Sequence, residues 1–390
     1  MSVMSFLLPT KFLLPTKLLP IFFLFVAAFG FAKPSVNIPT IDQLFSKAVS
    51  SETVPGISVA IADKDGLVWS KGYGYADLEN QVSMTNKHKM RIGSIAKLIT
   101  VAGMMRLHEQ GKLSLDIPIT EYVHVWPKTH ASISLRQLAA HTGGVRSYKD
   151  NAEFILNQHF TDTISSLSLF KDDPLLFQPG SDLKYSTFAF SLIAAAMEGA
   201  DKKRNFKQII QQEVFSPLGM QNSVFDDPAD IIALRQRPYI VRDRKMLNAP
   251  QSDHSYKYAG GGFIATPSDI SRFSVAHSHH GYLQKVSLEA MFSRAKLNDG
   301  KDLAYGIGWM IDFDNHKDRS YYKNNDHAQN LMASFDNAVM HSGGSNGGTT
   351  MLILCRDHQR SITVVKNVDG EHSADVFLLA LEALALFHRQ

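Results

Sequence analysis

Cysteine is almost missing from this chain: Cys355 is the only one in 390 residues. No intrachain disulfide can form, which excludes a disulfide-stapled secreted scaffold and a multi-cysteine metal site. Cys355 lies in Met351-Leu-Ile-Leu-Cys355 and reads as a buried strand residue. It is too far from the N-terminus to serve as a lipoprotein anchor. There is little excess of either charge: charged residues make up an ordinary 20% and the net charge of +3 is close to neutral for this length. No Lys/Arg-rich block stands out, so nucleic acid is not an expected partner. Low-complexity linkers are absent, and the one internal near-repeat is confined to the N-terminus.

That N-terminus lacks acidic residues and arginine through residue 32, carrying only Lys11 and Lys17 as charges. Two copies of Phe-Leu-Leu-Pro-Thr-Lys precede an apolar stretch from Leu18 to Ala32. Gly30-Phe31-Ala32 supplies small residues before Lys33. Residues 1–32 read as a secretory signal peptide, giving a secreted or periplasmic protein whose membrane contact is limited to this segment. An uncleaved inner-membrane anchor is the alternative. The run is short for a spanning helix and Pro20 interrupts its start. A mitochondrial presequence is disfavoured by the lack of arginine.

With 44% hydrophobic residues, positions 33–390 are expected to form one globular domain. Residues 40–51 read as a helix, and Gly56–Ala62 with Leu67–Tyr73 as a β-hairpin around the turn Asp63-Lys-Asp-Gly66. A helix from Ser94 ends near Gly111, a suitable residue just past a helix end. From about 130 to 295 the pattern is mainly helical, with segments at 135–141, 152–157, 186–199 and 206–215. Strands return at 305–313, 337–342, 349–355 and 361–366, followed by a closing helix over 373–388. Strands at both ends with helices between imply an α+β fold: one antiparallel sheet built from the two termini, with a helical insertion over roughly 94–300.

What the chain does carry is Ser94-Ile95-Ala96-Lys97. A serine and a lysine three apart at a helix start share one face. The hydroxyl is a weak nucleophile until a base takes its proton. A lysine, with a reference pKa of about 10.4, serves as that base only when desolvated or set near other cations. Ile92, Ile95, Leu98 and Ile99 offer that burial. Further on, Pro179-Gly180 delivers Tyr185 to the start of an apolar helix, with Ser186 or Thr187 to cap it. Val339-Met-His341-Ser342-Gly343-Gly344 reads as a strand whose glycines admit a substrate backbone and whose edge offers an N–H to an oxyanion. His141-Thr-Gly-Gly144 reads as a helix end. Gly343-Gly-Ser345-Asn-Gly347 matches the nucleophile-elbow pattern, but the β-run after it makes it a hairpin loop. His277, His279 and His280 read as a solvated loop, and no zinc-binding spacing is assigned.

Taken together, these segments resemble the penicillin-recognising serine hydrolases: class C β-lactamases, D,D-peptidases and related esterases. The resemblance spans roughly residues 40–385. It rests on Ser94–Lys97 with Met90-Arg-Ile-Gly before them, Gly111-Lys-Leu-Ser-Leu-Asp116, the His141 segment, Pro179-Gly180 with Tyr185-Ser-Thr187, Pro217-Leu-Gly-Met220, Gly260-Gly-Gly-Phe263, Tyr305-Gly-Ile-Gly-Trp309 and His341-Ser-Gly343. It implies a β-lactamase/transpeptidase-like α/β sandwich. It implies Ser94 as nucleophile, Lys97 as its activating partner and Tyr185 as base for acylation, then acid toward the leaving group. His341, Ser342, Gly343, Gly344 and Thr187 would line the substrate site, with the N–H groups of Ser94 and Gly344 as oxyanion hole. No metal or organic cofactor is implied. The expected reaction runs through an acyl-enzyme on a peptide, amide or ester, with amide cleavage ranked first. A carboxylesterase, a weak β-lactamase and a non-catalytic penicillin-binding sensor or scaffold are the alternatives, and a homo-oligomer is left open. Two positions depart from the family pattern: Thr187 stands where Asn is usual, putting strong β-lactam turnover in doubt, and His341 stands where Lys is usual. Since histidine titrates near neutrality, activity is expected to follow His341 protonation between roughly pH 5.5 and 7.5.

Overall fold

The computed structural model of the chain describes residues 37–50, 53–130, 132–370 and 374–388. The signal-peptide reading of residues 1–32 lies outside them. Among the described residues no helix is long and apolar enough to cross a membrane.

The helices that matter here are α1 (Ile38–Val49), α2 (Ala96–Glu109), α3 (Phe188–Asp201), α4 (Pro267–Val275) and α5 (Val376–His388). The long strands are β1 (Gly56–Asp63), β2 (Gly66–Asp77), β3 (Ala338–Ser345), β4 (Gly348–Cys355) and β5 (Arg360–Lys366). They form one antiparallel sheet in the order β2-β1-β5-β4-β3, extended at its edges by Val82–Ser83 and Met310–Ile311. The two chain ends meet at its centre, where Ile57 lies opposite Lys366 and Asp63 opposite Arg360. This is the sheet expected from strands at both termini.

Alternation along the strands sorts the sheet's two faces. Ile57, Val59, Ile61, Ile362 and Val364 point into a core shared with α1 and α5. On the other face small residues let α4 lie close: Ser271 Oγ donates to the Ala60 carbonyl at 3.1 Å and lies 2.9 Å from the Thr363 hydroxyl, which can donate to it, and Ser274 bonds Ser361 at 2.5 Å. Val339, Leu352 and Leu354 belong to a larger core with α2 and α3. Helix α2 is buried from Ala96 through Met105, as a helix apolar on every side must be. Gly111 follows it at φ +68, the expected left-handed terminator.

Some local expectations change. Only Met310–Ile311 of the 305–313 run forms a strand; Tyr305 makes an isolated bridge to Met310, and Gly308, at φ +81, turns the segment between them. His277 is not a solvated loop residue: it is 1% exposed, its Nδ1 sits 2.7 Å from the Phe273 carbonyl, and its ring packs on Phe273 and Trp309. One helical turn of apolar contacts overrides the polar run that follows. The Gly343–Gly347 segment is a hairpin, with Ser345 opposite Gly348 and no helix after it.

Candidate active site

Ser94 sits in a tight turn, Gly93–Ile95, that feeds α2. Two glycines make the approach to β3 possible. Gly93 adopts φ +51, and a Cβ there would stand 2.6 Å from the Gly344 carbonyl oxygen. A Cβ on Gly343 would overlap the carbonyl oxygen of Ile92. The segment before the serine is anchored by Arg91, whose Nε bonds Asp226 at 2.8 Å and whose Nη1 bonds the Asn346 carbonyl at 2.6 Å. Ser94 thereby stands at the positive end of a buried helix, facing the edge of β3.

Lys97 follows one turn later and is fully buried. Its Nζ lies 3.0 Å from Ser94 Oγ, 3.2 Å from Thr187 Oγ1 and 2.6 Å from the Gly260 carbonyl. The rings of Tyr185 and Phe190 cover it, at 4.8 and 5.4 Å from their centroids. Burial first, then the charge of Lys257, hold its ammonium well below the usual lysine range. Tyr185 is within hydrogen-bonding reach of Ser94, and burial pushes its phenol well above the usual tyrosine range. The site thus pairs a hydroxyl with an amine biased to be neutral and a phenol biased to keep its proton.

The expected helix cap falls to Ser186, not Thr187. Ser186 Oγ accepts from the Ala189 N–H at 3.1 Å and donates to the Arg146 carbonyl at 2.7 Å. That division of labour leaves the Thr187 hydroxyl for Lys97.

Ser94, Lys97, Tyr185 and Thr187 meet as expected, and Ser342 and Gly344 border the same cleft, of about 530 Å³. Strand alternation turns His341 and Gly343 the other way. His341 is 1% exposed and does not line the cleft, which corrects the expectation of a substrate-facing side chain. Its Nδ1 lies 2.6 Å from the Ser342 carbonyl, and its ring sits 6.2 Å from that of Tyr185. Burial and the neighbouring Lys97 push it down to about 3, so it is neutral from pH 5.5 to 7.5 and cannot supply a protonation step there. Pairing of β3 with Met310–Ile311 covers only Val339 and Met340, so the edge from Ser342 to Ser345 has no strand partner on that side among the described residues.

Two contributors, Lys257 and Tyr148, belong to none of the motifs read from sequence, and the His141 segment does more than end a helix. His141, read as a helix end, takes φ +62 and organises the tyrosine segment. Its carbonyl accepts from the Lys184 N–H at 3.0 Å, its Nδ1 accepts from the Ser186 N–H at 3.2 Å, and its ring stacks on Tyr185 at 4.3 Å. A non-glycine residue held left-handed costs about 1–3 kcal/mol, which these contacts offset. Lys257 lines the cleft, almost fully buried among Tyr148, Phe154 and Tyr256. Its Nζ donates to the Phe154 carbonyl at 2.6 Å, and burial pushes it down to about 7. Tyr148 lines the same cleft, its phenol within reach of the Thr187 hydroxyl. The sequence signal for Lys257 was its place three residues before Gly260-Gly-Gly, a link visible only once the glycine run is known to contact Lys97. Among the described residues no cluster of three metal-ligating side chains lies at the cleft.

The Beta-lactamase family profile matches residues 41–387. The human mitochondrial serine beta-lactamase-like protein LACTB is 27% identical, over 86% of this chain and 77% of that protein. Among solved structures, the octameric penicillin-binding protein homologue from Pyrococcus abyssi superposes with a TM-score of 0.72 at 20% identity, covering 90% of this chain and 77% of that one. A D-stereospecific amidohydrolase from a Streptomyces species superposes with a TM-score of 0.70 at 19% identity, covering 92% and 100%. With the profile matched over most of its length and the matching fold around Ser94, this chain belongs to the beta-lactamase family.

Proposed function

We propose that the protein is a serine hydrolase that cleaves an amide or peptide bond through an acyl-enzyme on Ser94. The observation that carries this reading is the 3.0 Å contact between Ser94 Oγ and the wholly buried Nζ of Lys97. The neutral amine takes the hydroxyl proton as Oγ attacks the carbonyl. The oxyanion is assigned to the N–H groups of Ser94 and Gly344, as the resemblance implies; the Ser94 turn and β3 lie close enough that a Cβ on Gly93 would stand 2.6 Å from the Gly344 carbonyl oxygen. Tyr185 gives its proton to the leaving group and recovers one from Lys97. Water then enters, loses its proton to the same pair, and releases the acyl group and the serine. The resemblance assigned the first proton acceptor to Tyr185. The opposite bias of the two groups makes Lys97 the better acceptor and Tyr185 the donor.

Amide cleavage is supported by the unpaired edge of β3, which suits an extended peptide, and by likeness to the amidohydrolase. Ester cleavage is the second reading. It is favoured by Thr187: the usual Asn would offer an amide to the substrate, whereas this hydroxyl is engaged by Lys97. Secretion rests on the pattern of residues 1–32.

The test is intact mass after exposure to a fluorescent penicillin and, separately, an activated ester, with Ser94→Ala alongside. One adduct per chain, lost in the variant, supports Ser94 as nucleophile, and its lifetime separates hydrolase from sensor. No adduct and no turnover with either probe, or with a peptide-amide library, would overturn the enzymatic reading in favour of a scaffold.

A further inference from the structure

At the end of β4 remote from Ser94, the single cysteine has company. Cys355 closes the strand, and the turn after it folds His358 back so that Nδ1 lies 3.1 Å from Cys355 Sγ. The last turn of α5 adds His388, whose ring stands edge-on to His358 with centroids 4.4 Å apart. Nε2 of His388 is buried and has no hydrogen-bond partner. One ligand atom from each residue lies within 4.8 Å of the other two, and this is the only such His/Cys/Asp/Glu triad among the described residues.

Zinc bonds sulfur at about 2.3 Å and imidazole nitrogen at about 2.0–2.1 Å, so a tetrahedral site spaces its ligand atoms roughly 3.3–3.6 Å apart. The triad, with one pair at 3.1 Å and all within 4.8 Å, lies close to that spacing. One thiolate with two imidazoles is a ligand set that suits zinc. Cys355 is buried, His388 half-buried and His358 exposed, so a metal ion has a route in from the His358 side.

The surroundings are compatible with a cation. Arg360, a positive group that acts on both Cys355 and His388, is turned to the helix end, donating to the Phe387 carbonyl at 3.0 Å and lying over the Phe387 ring. Asp357 adds a negative charge beside the cysteine. The ring of Phe335 closes the apolar side against His388.

We propose that Cys355, His358 and His388 form a zinc site with a fourth position open to water, tying α5 to the turn between β4 and β5. On binding, the S–H bond of Cys355 breaks and a Zn–S bond forms. The thiol proton leaves to solvent, and the lone pairs of the two imidazoles complete the protein ligands. The site lies the length of β4, about 20–25 Å, from the β3 edge beside Ser94, so its role is structural rather than catalytic.

Untagged full-length protein, stripped with a chelator, would be titrated with zinc in competition with a chromophoric chelator, and separately with cobalt. The expected result is one equivalent per chain, a thiolate-to-cobalt charge-transfer band with tetrahedral visible bands, and a higher Tm with zinc. Because His358 is exposed, His358→Ala should fold normally and lose at least tenfold in zinc affinity, as should His388→Gln. The proposal is overturned if the cobalt protein shows no thiolate band, or if both variants bind zinc as tightly as the parent. Neither result bears on Ser94 acylation, which is read separately.

Discussion

Nζ of Lys97 lies 3.0 Å from Oγ of Ser94 and 2.6 Å from the Gly260 carbonyl, which keeps one of its hydrogens occupied. With Thr187 taking a second, a neutral amine has its lone pair left for the Ser94 hydroxyl. Lys97→Met should lower kcat/KM by about 10²–10⁴, the usual range for loss of a general base. Lys97→Arg should fail similarly, since guanidinium stays protonated. Ser94→Ala should cost more, roughly 10⁶. Steady-state rates on an activated ester, with circular dichroism to verify folding, check this.

The pH profile follows from the same amine. A group that works deprotonated gives a rate that rises with pH through its own pKa and then levels. Lys257 is a cation that helps depress Lys97. Lys257→Met should therefore move the rising limb to higher pH. His341, neutral above about pH 3, should add no limb between pH 5.5 and 7.5. If His341→Gln abolished a limb in that window, the buried neutral histidine would be wrong.

Stability should depend on pH in a stated direction. His341 is pushed down to about 3 and His277 to about 4, against about 6.5 when unfolded. Below about pH 6.5 the unfolded chain binds protons that the folded one refuses, so their contribution is present above that value and lost as pH falls toward 3–4. Tm should drop between pH 7 and 4.5, and His341→Gln should shallow the drop. Differential scanning fluorimetry across that range measures it.

Thr187 links the capping serine to the amine. Removing its hydroxyl in Thr187→Val strips a buried hydrogen bond worth about 1–3 kcal/mol, so kcat/KM should fall roughly 5- to 100-fold with little change in fold. Thr187→Asn should restore an amide at the cleft and speed acylation by penicillins relative to the parent. Adduct formation followed by mass spectrometry reads both.

Gly343→Ala changes no reacting group, yet its Cβ would overlap the Ile92 carbonyl beside Ser94. Overpacking of this kind costs about 1–3 kcal/mol and would push the Ser94 turn from β3. Acylation should fall along with Tm. Unchanged acylation at a lowered Tm would show that the contact stabilises the fold without positioning the serine.

Much of this architecture is legible in the sequence itself. The Ser94–Lys97 pair follows from a helix bringing residues three apart onto one face, and the sheet from alternating apolar runs at both ends of the chain. Those patterns are local, and local geometry repeats wherever the backbone does. The harder facts depend on what packs against what. Nothing near His341 in the chain says that Tyr185 and Lys97 will bury it, nor that strand alternation will turn it from the cleft while Ser342 and Gly344 face in. His141 reads as an ordinary helix end until its left-handed backbone meets Ser186 and Tyr185. Lys257 gains its role only beside Phe154, about a hundred residues earlier, and His388 meets Cys355 only because α5 packs across the sheet. Spacing along the chain thus pointed to the candidate serine and lysine, whereas desolvation and approach between distant segments bias their charge states, because burial is a property of the assembled neighbours and not of any one stretch of residues.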